Sequence, residues 1–164
     1  MIILGIDPGT ATVGYGFVEI EPGRPPAPRG FGVIRTDKRM AFPDRLAVVH
    51  QDMRELLAGD RPDAMAVEEL FFLRNTNTAF PVAHARGVIL LAAAQCGVPV
   101  ANYSPAQVKQ AIAGHGRADK REVQTHVQSW LGLDALPRPD DAADALAVAL
   151  THWQVLVGRG EVAP

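Results

Sequence analysis

The sequence of 164 residues contains one cysteine, Cys96. An internal disulfide is therefore excluded, and a reducing compartment is expected. Long apolar runs are also missing. The longest stretch without a polar side chain, Gly87 to Ala94, falls far short of the roughly 20 residues that a membrane helix needs. No basic segment followed by an apolar export segment opens the chain, so the sequence reads as a soluble, cytoplasmic protein with no membrane contact. Positive charge is not in excess either: 16 Lys and Arg stand against 18 Asp and Glu, a formal charge of -2. Whole-molecule charge thus gives no reason to expect a polyanionic partner. Internal repeats and low-complexity tails are absent. What is present is ordinary globular composition, 48% hydrophobic and 21% charged. That is enough to bury about two thirds of the unfolded chain's surface in one domain over residues 1–157, with 158–164 as a short C-terminal tail.

The apolar run Met1 to Ile6 ends at Asp7-Pro8-Gly9, and β-rich Thr12 to Ile20 follows, interrupted by Gly14 and Gly16. Two strands joined by a turn fit this pattern. A proline-rich connection from Pro22 to Pro28 leads to a third strand at Phe31, Val33 and Ile34. From Pro43, Leu46, Val49, Met53, Leu56 and Leu57 recur at helical spacing, and Gly59 is placed to stop the helix. Ala64 to Val67 reads as a buried strand ending at Glu68-Glu69. A long helix is expected over residues 77–96 with Pro81 near its first turn, then a fifth strand over Val98 to Ala101. Ser104-Pro105-Ala106-Gln107 carries a capping box for a helix to Ala113. Helices over Lys120 to Leu131 and Asp140 to Val157 complete the chain. The fold class is α/β: a five-stranded mixed sheet flanked by helices.

In such a sheet, polar residues at the carboxyl ends of neighbouring strands share a crevice, and Asp7 and Glu68 occupy such ends. Asp-Pro-Gly is also ordinary turn chemistry, and Glu68 alone would also suit a solvated strand end. Asp140, Asp141 and Asp144 equally suit the start of the last helix as caps and partners for its dipole. The combination is more specific. Asp141 and Asp144 share one helix face, and the apolar residues after them would lay that helix on the sheet. If its start meets the strand ends, four carboxylates converge, and hard divalent cations such as Mg²⁺ or Mn²⁺ relieve the crowding. Two ions make a site for phosphodiester hydrolysis.

Charge is segregated accordingly. Between Leu70 and Leu131 six basic residues (Arg74, Arg86, Lys109, Arg117, Lys120, Arg121) face two acidic ones (Asp119, Glu122). Gly114 to Lys120 is the best local candidate for phosphate contact, because its glycines let backbone N–H groups approach closely. Phe71 and Phe72 either join the core or offer an aromatic that stacks on an unpaired base.

Several blocks, in order from about residue 2 to 152, carry a resemblance. They are Gly5-Ile6-Asp7-Pro8-Gly9-Thr10 leading to Gly14-Tyr15-Gly16, Val67-Glu68-Glu69-Leu70-Phe71-Phe72, Gln107-Val108-Lys109-Gln110 with Gly114-His115-Gly116 and Lys120, and Asp141-Ala142-Ala143-Asp144-Ala145-Leu146-Ala147 with Thr151-His152. Together they resemble the RuvC family of Holliday junction resolvases. The resemblance implies a ribonuclease H-like fold and a homodimer that nicks two opposing strands of four-way junction DNA symmetrically, leaving ends that ligase can seal. It implies that Asp7, Glu68, Asp141 and Asp144 are catalytic and hold two Mg²⁺ or Mn²⁺ ions. It also implies that Phe71 stacks on a base, that Lys109 and Lys120 are functional, and that RuvA and RuvB are partners. Arg74 and Arg117 join the DNA-binding set through their position in the basic segment. A YqgF-like RNA-processing nuclease shares the opening motif, but the Lys109 to Lys120 block and the Asp141 to Asp144 spacing favour the resolvase. A sugar-kinase or actin-like half-domain would need a second lobe.

Overall fold

The computed structural model describes residues 1–70 and 76–163; Phe71 and Arg74 lie outside the described residues. Strand β1 (Ile2–Asp7) pairs antiparallel with β2 (Thr12–Glu19), which pairs antiparallel with β3 (Ala27–Arg35). On its other side β1 runs parallel to β4 (Ala64–Glu68), and β4 runs parallel to β5 (Val100–Tyr103). The sheet order is β3-β2-β1-β4-β5. Helices α1 (Phe42–Asp60) and α2 (Thr76–Gln95) cover one face, and α3 (Pro105–Ala113), α4 (Lys120–Trp130) and α5 (Asp140–Gly158) the other.

Strand alternation sorts the chain between two cores. Leu4 and Ile6 of β1 join Val13, Phe17, Met65 and Val67 beneath α1 and α2. Ile3 and Ala66 join Val108, Ile112, Val127 and Leu146 on the α5 side. Asp7 is four residues from Ile3 and Glu68 two from Ala66, so both fall on the α5 side. Because Ile6 is the register partner of Val67, Asp7 and Glu68 end their strands at the same level.

Helix α5 is buried nearly all round from Ala142 to His152. It sits unusually close to the sheet because three strand glycines lie beneath it. A methyl group on Gly5 would meet the Ala145 carbonyl oxygen at 1.9 Å, one on Gly14 would meet the Asp141 carbonyl oxygen at 2.0 Å, and one on Gly16 would meet Leu146 at 2.7 Å. Glycine inside a strand here marks close backbone approach.

The main differences from the sequence expectation are local. Strand β3 starts at Ala27 and includes Pro28, which an edge strand tolerates beside the register shift at Phe17/Val18. Gly59 does not stop α1; Arg61 closes it in the left-handed conformation at φ 46, and Pro62 follows. Pro81 lies in the second turn of α2 rather than near its start. Strand β5 begins at Val100 because Gly97 and Val98 close α2, their N–H groups reaching back to Ala94 and Ala93. The capping box forms as expected: Ser104 Oγ accepts from the Gln107 N–H and Gln107 Oε1 from the Ser104 N–H.

Candidate active site

The carboxyl ends of β1 and β4 bring Asp7 and Glu68 beneath the first turns of α5, which carry Asp141 and Asp144. All four side chains are half-buried. Asp140, one residue earlier, turns away toward Arg138 and Lys120, and no side chain caps α5, whose N-cap is Pro139. The capping role open to these aspartates in the sequence is therefore not the one they play.

Burial pushes the Asp7 carboxyl up to about 8, reinforced by the negative charges of Glu68, Asp144 and Asp141 and opposed by Lys120. Burial pushes Glu68 up to about 7, with Asp144 adding to the shift and Lys120 and Lys109 opposing it. Asp144 is also raised by burial, although the Lys120 hydrogen bond works the other way. Lys120 Nζ lies 2.9 Å from Asp144 and 3.6 Å from Asp140. Burial disfavours its charge, but the bond to Asp144 and the surrounding carboxylates hold its pKa above the usual lysine value. Carboxylates thus outnumber the ammonium groups, Lys120 in contact with Asp144 and Lys109 acting on Glu68, a deficit of positive charge inside a partly dry site.

A cavity of about 200 Å³ opens beside these groups, lined by Glu68, Asp144, Lys109, Lys120, Pro105, Val108, Val123 and Ala147. Lysines and carboxylates over an apolar floor suit a phosphodiester flanked by cations. Among the described residues no three Asp, Glu, His or Cys side chains close around a single point as a finished ligand cage. The donor chemistry nevertheless fits hard divalent ions: every candidate ligand is a carboxylate oxygen, and burial, with the neighbouring carboxylates adding to it, makes the charged forms of Asp7 and Glu68 costly unless a cation compensates them.

This imbalance has a measurable consequence. An aspartate whose folded-state pKa lies above its unfolded value binds more protons when folded, so stability falls as pH rises from about 4 to about 8. In chelator, Asp7→Asn is expected to match the parent chain near pH 4 and exceed it by ~1–3 kcal/mol at pH 8. Urea unfolding at both pH values checks this, and a stability difference independent of pH would contradict it.

The structure brings together Asp7, Glu68, Asp141, Asp144, Lys109 and Lys120. Arg117 is exposed in the connection between α3 and α4 and does not line the cavity. Sequence reasoning missed two features. Gly14 and Gly16 enter the sequence reading as strand interruptions and as part of a motif block, without a packing role, although glycine in a strand is itself a signal of close packing. Arg86 was counted as basic surface, but its guanidinium Nε donates to the Glu68 carbonyl oxygen at 3.3 Å and its Nη2 to Asn102 Oδ1. Nothing in the local sequence marks that contact.

Comparison with known proteins points the same way. The sequence model of the RuvC family, described as crossover junction endodeoxyribonuclease RuvC, matches residues 3–152. Crossover junction endodeoxyribonuclease RuvC of Moorella thermoacetica is 57% identical over 152 residues, covering 93% of this chain and 90% of that protein. The Thermus thermophilus RuvC structure superposes with a TM-score of 0.88 at 42% identity, covering 99% of this chain and 98% of that one. T. thermophilus RuvC in complex with a Holliday junction substrate gives 0.87 at 40% identity, covering 100% and 99%. The mixed sheet is therefore the ribonuclease H-like fold that the motifs led one to expect. With blocks from Gly5 to His152 falling inside the matched region, the chain belongs to the RuvC family of crossover junction endodeoxyribonucleases.

Proposed function

We propose that this Holliday junction resolvase cuts DNA where the ends of β1 and β4 meet the start of α5, beside the cavity lined by β4, α3, α4 and α5, with Asp7, Glu68, Asp141 and Asp144 as its cation-holding carboxylates. The observation that carries this reading is the charge deficit: four half-buried carboxylates at the strand ends and the start of α5 outnumber the ammonium groups of Lys120 and Lys109 beside the cavity. Two Mg²⁺ or Mn²⁺ ions, when bound, supply an activated water and stabilise the leaving oxygen. The chain's own part is to hold the carboxylates in register, to place Lys109 near the scissile phosphate and to keep an apolar floor under it. Two divalent ions would also carry the formal charge from -2 to +2, which removes the apparent mismatch with DNA.

A homodimer is part of the proposal. Phe80 and Leu91 are exposed on α2 at 68% and 51%, with exposed Gly87 between them, while Ile89, Ala92 and Ala93 on its other face are buried. Such a stripe suits pairing with a second copy and provides the two active sites that symmetric nicking needs. RuvA and RuvB enter as partners on family resemblance alone. No helix among the described residues is long and apolar enough to cross a membrane.

The decisive assay offers end-labelled mobile four-way junctions, matched duplexes and RNA hybrids with Mg²⁺, Mn²⁺ or chelator. Paired, ligatable nicks confined to the junction and dependent on a divalent ion are expected. Cleavage of RNA hybrids in preference to junctions would favour the RNA-processing alternative. Lys109 also makes a separate claim. If it neutralises one phosphate, Lys109→Ala lowers the slope of log binding constant against log salt by about 0.9. An unchanged slope places the side chain away from the backbone.

A further inference from the structure

We infer that Arg86 is a positioning residue that aims Glu68 into the cavity. It sits near the middle of α2, half-buried, and two of its donors engage protein: Nε donates to the Glu68 carbonyl oxygen at 3.3 Å and Nη2 to Asn102 Oδ1. These acceptors lie on neighbouring strands. Asn102 is the register partner of Val67, and Tyr103 that of Glu68. One step further on, the Glu69 N–H donates to the Tyr103 carbonyl at 2.8 Å, so the chain is held on that side as it leaves β4. Arg86 holds the peptide between these points from the α2 side. A single planar fork therefore ties the last peptide of β4, the side chain of β5 and the helix packed on the opposite sheet face from α5.

The choice of arginine has a physical reason. Its donors are fixed in one plane and stay charged, so two acceptors a strand apart are held in a set relation; an ammonium is a single point and cannot impose that geometry. Fixing the Glu68 peptide plane fixes the direction in which its Cα–Cβ bond leaves the strand. That direction decides whether the carboxylate meets Asp7 and Asp144 or drifts from them. Without the fork, the half-buried carbonyl loses its partner and the strand end is free to rotate.

This inference rests on Glu68 holding a cation, and the test separates the two. Full-length Arg86→Gln, Arg86→Lys, Asn102→Ala and Glu68→Gln are compared by three measurements. They are Mn²⁺ half-saturation from thermal stabilisation without DNA, the cleavage rate at saturating junction, and junction affinity in chelator. Arg86→Gln is expected to raise the Mn²⁺ half-saturation and lower the rate, each by about 10–100-fold, the usual cost of losing an outer partner of a metal ligand. Junction affinity in chelator should stay within about twofold, since no phosphate contact is lost. Arg86→Lys recovers part of both, and Asn102→Ala, which removes only the second anchor, gives a smaller shift in the same direction. If Arg86→Gln does not fold, Asn102→Ala carries the test alone. Parental Mn²⁺ half-saturation and rate in Arg86→Gln, with Glu68→Gln inactive, overturn the role of Arg86 and leave that of Glu68 standing. Weaker junction affinity at an unchanged saturated rate also overturns it, in favour of a phosphate contact. Full cleavage by Glu68→Gln overturns both.

Discussion

Asp7→Asn is expected to lower the cleavage rate on a saturating four-way junction by at least ~10³-fold, about 4 kcal/mol of transition-state stabilisation, while junction affinity in chelator changes by less than about threefold. The asparagine keeps the shape of the side chain and removes its charge. Asp7 ends β1 at the level of Glu68 and is the most strongly perturbed carboxyl of the site, raised to about 8 by burial and then by its three acidic neighbours. Such a group is costly to keep unless a cation compensates it. The same variant is expected to gain stability at pH 8 without metal, so losing cleavage while gaining stability would be the joint signature of a site strained for function. Gel assays of labelled junctions with Mg²⁺ and Mn²⁺ read the rate, and divalent-dependent cleavage retained near the parental level would remove Asp7 from the machinery.

The carboxylates were legible in the sequence because each is tied to an element boundary that local chemistry fixes. Asp7 follows an apolar strand and precedes Pro-Gly; Glu68 follows another short strand; Asp141 and Asp144 are one turn apart where an alanine-rich apolar helix begins. Period-two alternation puts both strand-end residues on the α5 face only once pairing has set Ile3 and Ala66 on that side, which the sequence does not show. Lys109 and Lys120 were legible as basic residues in a segment with few acidic ones, but their roles were not. Lys120 is engaged with Asp144 and Asp140, which depends on how α4 packs on α5 and has no local signature. Arg86 was opaque for the same reason, since its acceptors are a backbone carbonyl and a side chain at sequence separations of 18 and 16. Strand β5 was displaced by two residues because Val98 and Pro99, apolar and β-compatible, are used to leave the helix before them.

The second large effect concerns no polar group. Gly14→Ala is expected to destabilise the protein by ~3 kcal/mol or more and, among molecules that remain folded, to slow cleavage by at least ~10²-fold. The added methyl would stand 2.0 Å from the Asp141 carbonyl oxygen and 2.5 Å from its carbonyl carbon, and both are backbone atoms that no rotamer change can move. Relief requires the first turn of α5 to lift from β2, carrying Asp141 and then Asp144 away from Asp7 and Glu68. At this chain length each kcal/mol lowers the melting temperature by about 2–4 °C, so a fall of roughly 6–12 °C is the expected reading. Gly5→Ala meets α5 further along, at Ala145 and Ala149, and should cost comparable stability. Gly30 on edge strand β3 has nothing within 4 Å of an added methyl, and Gly30→Ala should change stability by less than about 0.5 kcal/mol. The comparison isolates contact with α5 from any general cost of alanine in a strand. Metal half-saturation completes it. Gly14→Ala assayed well below its melting temperature should need more Mn²⁺ than the parent, because the helix that presents two of the carboxylates has moved. A variant with the parental melting temperature, cleavage rate and Mn²⁺ requirement would mean that α5 is not held against the sheet as closely as these contacts require, and the convergence of the four carboxylates would lose its structural basis.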